Sequence, residues 1–163
     1  MTVLPDRCEV VVVGGGVIGV SVAYHLAEAG IQDVVLLERK ELTSGTTWHA
    51  AGLVGQLRTS INMTQLARYT SQLYLGLEED TGQATGYRQC GSISIAATAE
   101  RFEELKRSAS MAKVFGLEVN VLSVAEIAEK YPLMHTHDLY GGIHIPSDLS
   151  LIHISEPTRL SGI

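Results

Sequence analysis

The chain has 163 residues, of which 45% are hydrophobic and 18% charged, enough for one ordinary globular domain and unlike a disordered composition. Its net charge of −6 and pI near 5.4 argue against nucleic acid or an anionic membrane surface as the main partner. No apolar run reaches the roughly 18 to 20 residues of a membrane span, and Cys8 and Cys90 give neither metal-ligand spacing nor a disulfide framework.

Met1 to Glu9 shows no signal-peptide or transit-peptide character, so a reducing compartment is expected, bacterial cytoplasm or mitochondrial matrix. Cys8 to Val13 (CEVVVV) is a continuous β-branched run of the kind found in strands buried on both faces. Three glycines then open a helical pattern over Val17 to Ala29, with Val17, Val20, Ala23, Tyr24 and Ala27 on one face and Gly30 to end it. Asp33 to Glu38 (DVVLLE) is a second buried strand, so the first 40 residues read as one βαβ unit. Glu41 to Leu53 is small and polar, predicting a loop and a short helix. Met63 to Leu77 has helical spacing, and Thr81 to Gly86 is a Gly-rich connection. Gly91 to Ala97 alternates as a strand, Thr98 to Phe115 is an amphipathic helix closed by Gly116, and Leu117 to Leu122 is another strand. Ser123 with Glu126 forms a capping-box pattern that opens a helix ending before Pro132. Leu139 to Pro146 is the last strand of this series.

Gly14-Gly15-Gly16-Val17-Ile18-Gly19 fits G-x-G-x-x-G between a strand and a helix. Gly14 serves the turn, Gly16 the close approach of a pyrophosphate, and Gly19 the packing of helix on strand. The helix amino end supplies free N–H groups and partial positive charge. Glu38, nineteen residues after Gly19 at the end of the next strand, is suited to accept both hydroxyls of an adenosine ribose. The context makes this a dinucleotide site; the glycines alone do not choose between FAD and NAD.

Leu42 to Leu53 (LTSGTTWHAAGL) resembles the segment after the second strand in sarcosine and dimethylglycine dehydrogenases, flavoproteins of the glycine oxidase and D-amino-acid oxidase superfamily. SVAYHLAEAG, LEEDTGQATGY, GSISIA, YPLM and DLYGGIHIPSD match the same group, so the resemblance covers nearly all of residues 8 to 148. It implies an α/β fold: a Rossmann-like FAD-binding βαβ unit plus part of an α+β substrate domain, incomplete over these residues. The FAD-binding part is expected at 1–90 and the start of the substrate domain at 91–148. The implied cofactor is FAD, bonded through a ring nitrogen of His49 to the flavin 8α carbon. Thr43, Ser44, Gly45, Thr46 and Thr47 are implied to hydrogen-bond the flavin and its phosphates, Trp48 to pack near the ring or in the core, and Arg58 is a candidate for the substrate carboxylate. The implied reaction, in a full-length parent and not in this stretch alone, is oxidative demethylation of a small secondary or tertiary amine such as sarcosine or dimethylglycine, with electrons leaving to an electron-transfer flavoprotein or to oxygen. A separate tetrahydrofolate-binding domain is implied in the resembling enzymes. Catalytic residues and a metal site are not indicated within this stretch.

Two other readings stand beside it. One is a non-catalytic relative similar to the regulatory subunit of pyruvate dehydrogenase phosphatase, a branch that departs from the Trp-His pair kept here as Trp48-His49. The other is a glycine or D-amino-acid oxidase with noncovalent FAD. His25, His135 and His137 read as packed or solvated histidines, and Glu78 to Asp80 and Glu103 to Arg107 as wet helical surface. Leu149 to Arg159 (LSLIHISEPTR) equals one reading frame of a common transposase sequencing adapter, so 149–163 is expected to be a sequencing artefact and carries no functional inference.

Overall fold

The computed structural model describes residues 5–151. Packing divides the chain into two compact units, Met1–Ala51 and Gly52–Ile163. This break precedes the functional boundary expected at 90/91, because the helix and strands in between pack with the later residues.

In the first unit, β1 (Val10–Val13) pairs in parallel with β2 (Val34–Leu37), from Val10↔Val34 to Val13↔Leu37. The connection is α1 (Val17–Glu28). Gly30, at φ +89, ends the helix turn with its N–H donating to Ala27 O at 3.0 Å. The expected burial of β1 on both faces is not met: Val12 is 9% exposed, whereas Val11 and Val13 are 51% and 82% exposed. Among the described residues of this unit, β1 has one strand neighbour and one covering helix, which can bury one face only.

The second unit holds two three-stranded antiparallel arrangements. β3 (Leu53–Val54) and β4 (Tyr87–Arg88) flank β8 (Leu149–Leu151). β5 (Ser92–Ala96) and β6 (Asn120–Leu122) flank β7 (Gly141–Ile145). Helix α2 (Ile61–Thr81) begins at Ser60, whose hydroxyl accepts the Met63 N–H, and ends at left-handed Gly82. α3 (Ala99–Val114) starts at the Thr98 cap, and α4 (Val124–Lys130) carries the expected capping box between Ser123 and Glu126.

The core lies between α3 and the β5-β7-β6 sheet. Leu105, Ala109 and Ala112 meet Ala96, Leu117, Val119, Ile143 and Ile145. Each large aliphatic side chain buried here contributes about 1.5–3 kcal/mol. Successive residues of β7 alternate faces: a Cβ on Gly141 would lie 2.6 Å from the Phe102 ring of α3, and one on Gly142 3.2 Å from Ile127 of α4. The glycine pair lets both helices approach the central strand. On α2 the buried positions are Thr64 and Ser71, while Met63, Leu66 and Tyr69 of the apolar stripe are about half exposed.

Of the stretch expected to be adapter-derived, Leu149–Leu151 forms β8; residues 152–163 lie outside the described residues, as do 1–4. No helix among the described residues is long and apolar enough to cross a membrane.

Candidate functional site

The Gly-rich turn of the first unit is built on steric necessity. A Cβ on Gly19 would stand 1.8 Å from Gly14 O, so any side chain there would part the helix from the turn. Gly14 has φ +108, a conformation costly to any residue with a side chain. Gly15, the middle residue that the motif leaves free, is also constrained: a Cβ would lie 2.6 Å from Leu42 Cδ2 and 2.9 Å from Glu38 Cβ. Gly16 is extended and is the N-cap of α1, with no side-chain cap and no acidic residue in the first turn. No acidic side chain of α1 itself therefore offsets the positive end of the helix.

Glu38 folds back onto this turn. Its Oε2 accepts the Gly15 N–H at 2.8 Å and its Oε1 the Lys40 N–H at 2.9 Å. These N–H dipoles, Gly15 first, hold the carboxyl below its ordinary value of 4.5. Both oxygens retain lone pairs for further donors.

The loop after β2 is stitched to the same turn. Thr43 adopts φ +64, a left-handed conformation costing a β-branched residue about 1–3 kcal/mol. That geometry lets its N–H donate to Gly15 O at 2.9 Å while its carbonyl accepts the Trp48 N–H at 3.1 Å. The predicted short helix is a single 3-10 turn, Thr46–His49. Thr47 Oγ1 accepts the Val17 N–H at 2.9 Å and stands 3.3 Å from the Cβ position of Gly16. His49 Nδ1 lies 3.1 Å from Gly45 O. Because a carbonyl only accepts, Nδ1 is the donor in that bond, leaving a lone pair on Nε2 of the exposed ring.

The structure thus brings Gly14, Gly16, Gly19, Glu38, Thr43 and Thr47 around one turn, with Gly45 and His49 on the adjoining loop. Ser44 turns its hydroxyl to Glu41 O at 2.8 Å, Thr46 is exposed, and Trp48 is 77% exposed. Arg58 belongs to the second unit, where its guanidinium donates to Leu57 O at 3.2 Å and its backbone N–H to Thr64 Oγ1. His25 Nδ1 is 2.6 Å from Ser21 O, and the rings of His135 and His137 meet edge to face at 6.3 Å. No group of three metal-ligating side chains occurs among the described residues.

The sequence gives no hint of a polar recess of about 260 Å³ in the second unit, lined by Gln56, Arg68, Gln72, Tyr87, Glu118 and Ser147 among others. The Tyr87 and Ser147 hydroxyls are buried there without a hydrogen-bond partner among the described residues, and burial pushes the Tyr87 phenol up. Its lining comes from five separate segments, so no local spacing announces it.

The sequence matches the family described as FAD dependent oxidoreductase over residues 9–155. The chain belongs to that family. Its sequence is 49% identical over 146 residues to the mitochondrial sarcosine dehydrogenase of Mus musculus, covering 89% of this chain and 16% of that protein. It is 44% identical over 143 residues to the mitochondrial dimethylglycine dehydrogenase of Rattus norvegicus, covering 88% and 17%. The mitochondrial pyruvate dehydrogenase phosphatase regulatory subunit of Mus musculus is 43% identical over 145 residues, covering 89% and 16%. Among solved structures, glycine oxidase from Geobacillus kaustophilus superposes with a TM-score of 0.77 at 31% identity, covering 93% of this chain and 41% of that one. The chain spans about a sixth of the length of the curated dehydrogenases it matches, and the fold is the corresponding part of the mixed α/β architecture of FAD-dependent oxidoreductases.

Proposed function

We propose that the protein is an FAD-dependent amine oxidoreductase acting on a small secondary or tertiary amine such as sarcosine or dimethylglycine. One observation carries the reading. The segment shared in pattern with such enzymes, Thr43 to His49, is hydrogen-bonded directly to the Gly-rich turn, through Thr43 N–H to Gly15 O and Val17 N–H to Thr47 Oγ1. FAD suits the residues present: the side-chain-free Gly14 and Gly16, the α1 amino end with no acidic residue in its first turn for a pyrophosphate, and the Glu38 carboxylate for the ribose hydroxyls.

The bound flavin supplies acceptance of a hydride at N5 from the carbon beside the amine nitrogen. The chain's own residues bind and orient. Gly14, Gly16 and Gly19 admit the backbone approach, Glu38 selects an unphosphorylated ribose by charge, and Thr43 through Thr47 line the turn. His49 offers Nε2 as the nucleophile for the flavin 8α carbon, with Nδ1 oriented by Gly45 O. Held there, FAD would supply an electrophilic 8α carbon within the reach of chemistry that an unhindered imidazole nitrogen offers, and His49 is the residue that would hold it. Residues 1–90 serve the cofactor and 91–148 begin the substrate domain. An electron-transfer flavoprotein or oxygen takes the electrons, tetrahydrofolate is the candidate one-carbon acceptor, and mitochondrial matrix or bacterial cytoplasm is the setting.

The regulatory reading draws on the 43% identity to the phosphatase subunit. Retention of Trp48 and His49 favours the enzyme. Reconstitution of the full-length protein with FAD, acid precipitation and anaerobic titration with sarcosine and dimethylglycine separate the cases. Yellow pellet and bleaching by either amine are expected. Flavin in the supernatant that neither amine reduces would turn the assignment to the regulatory relative, and flavin in the supernatant with reduction by glycine would turn it to a noncovalent oxidase.

A further inference from the structure

From Glu41 to Ala50 every residue is exposed except Thr47. Its hydroxyl accepts the Val17 N–H, the first amide of α1, across thirty residues of chain. That oxygen also lies 3.3 Å from where a Gly16 side chain would begin, so the glycine leaves room for the threonine as well as for a ligand. As acceptor toward Val17, the hydroxyl keeps its own proton to donate outward. Within the same turn, the Gly45 carbonyl orients His49, and the Trp48 N–H is held by the left-handed Thr43.

We infer that Thr47 is a positioning residue that couples the phosphate-binding turn to the His49 turn, so that a pyrophosphate on the α1 amino end and the His49 ring are held by one connected element. The inference rests on the FAD reading above and adds a mechanical role to it. Cofactor entering by its ADP half orders the histidine turn before the flavin half is engaged. Thr43 alone cannot do this, because its bond runs to Gly15 O on the strand side of the turn rather than to a helix amide.

The test is backbone amide exchange in the full chain with ADP as probe, which carries the pyrophosphate and adenosine without a flavin. In the wild type, ADP is expected to slow exchange at 14–19 and also at 46–49. Thr47→Val is expected to keep the slowing at 14–19 and lose that at 46–49 by about two- to tenfold, the range of one net hydrogen bond. Thr47→Ser, which keeps the oxygen, restores it. Unchanged exchange across β1 shows that the valine variant is folded, and a general rise there moves the comparison to wild type against Thr47→Ser, which must then protect both segments alike. Full ADP protection of 46–49 in a folded Thr47→Val overturns the coupling and leaves the nucleotide site standing. ADP that protects neither segment of the wild type overturns both.

Discussion

The Gln56 backbone N–H donates to Asp148 Oδ1 at 2.7 Å across 92 residues of chain. The other carboxylate oxygen accepts the Ser92 hydroxyl at 2.5 Å, and the Asp148 carbonyl accepts the Gly91 N–H at 2.9 Å. Asp148 is 5% exposed, so it joins the segment after β3, the start of β5 and the entry to β8 in a place without water to replace it.

Asp148→Ala leaves a buried N–H and a hydroxyl without their acceptor. Loss of about 2–4 kcal/mol is expected, read as a shifted urea midpoint in the full chain. Asp148→Asn should lose less, because its carbonyl can still accept from Gln56 while Ser92 turns to accept the new NH2. Equal losses would mean that charge, rather than the hydrogen-bond pattern, holds the junction.

Glu38 gives a pH dependence whose sign follows from its lowered pKa. A carboxyl depressed in the folded state stabilises it above the unfolded value, near 4.5, and that contribution is lost as pH falls through the folded value. Melting of the first unit should therefore weaken below about pH 4.5 in the wild type and less steeply in Glu38→Gln. Thermal melts followed from pH 3 to 7 test it, and parallel profiles for the two proteins would refute it.

The glycines should rank by what their missing side chains would meet. Gly19→Ala puts a methyl group 1.8 Å from a backbone oxygen, whereas Gly16→Ala meets a side-chain hydroxyl at 3.3 Å. Gly19→Ala is expected to abolish FAD binding along with the turn. Gly16→Ala should preserve the fold and weaken binding by about tenfold, roughly 1.4 kcal/mol. Flavin fluorescence titration with circular dichroism distinguishes them.

Removing the nucleophile should release the flavin without unfolding the turn. His49→Ala is expected to bind FAD that acid extracts fully, because the ring is exposed and its bond among the described residues is to Gly45 O. Flavin that stays with the acid-precipitated variant would move the linkage to another residue.

Leu149 to Leu151 pairs with β3 and β4 through its backbone, and Leu149 is also buried, at 3% exposure, so this strand needs an extended chain and gains from an apolar residue at its start. Resequencing the coding DNA across codon 149 is expected to replace the adapter-like string with a different continuation that still extends at 149–151. The same codons in independently prepared genomic DNA would make the string the protein's own.

The sequence by itself determined the βαβ unit, the Gly-rich turn at 14–19, the capping box at Ser123, and the family, and it singled out Glu38 beside that turn. All of these are local: a strand's β-branched run, a turn's glycines, a cap three residues from its partner. The tertiary structure decided what depends on residues far apart. β3, β4 and β8, at two or three residues each, carry too few positions to show a period, and they exist because backbone groups separated by 60 to 100 residues pair. Gly15 is a glycine because Leu42 and Glu38 arrive from the next strand and loop. Thr47 looks like one hydroxyl among several in the string, and only the fold sets it on the first amide of α1. Hydrogen-bond partners separated by a crossover leave no periodicity in the chain, which is why the candidate residues could be named from sequence and the bonds that join them could not.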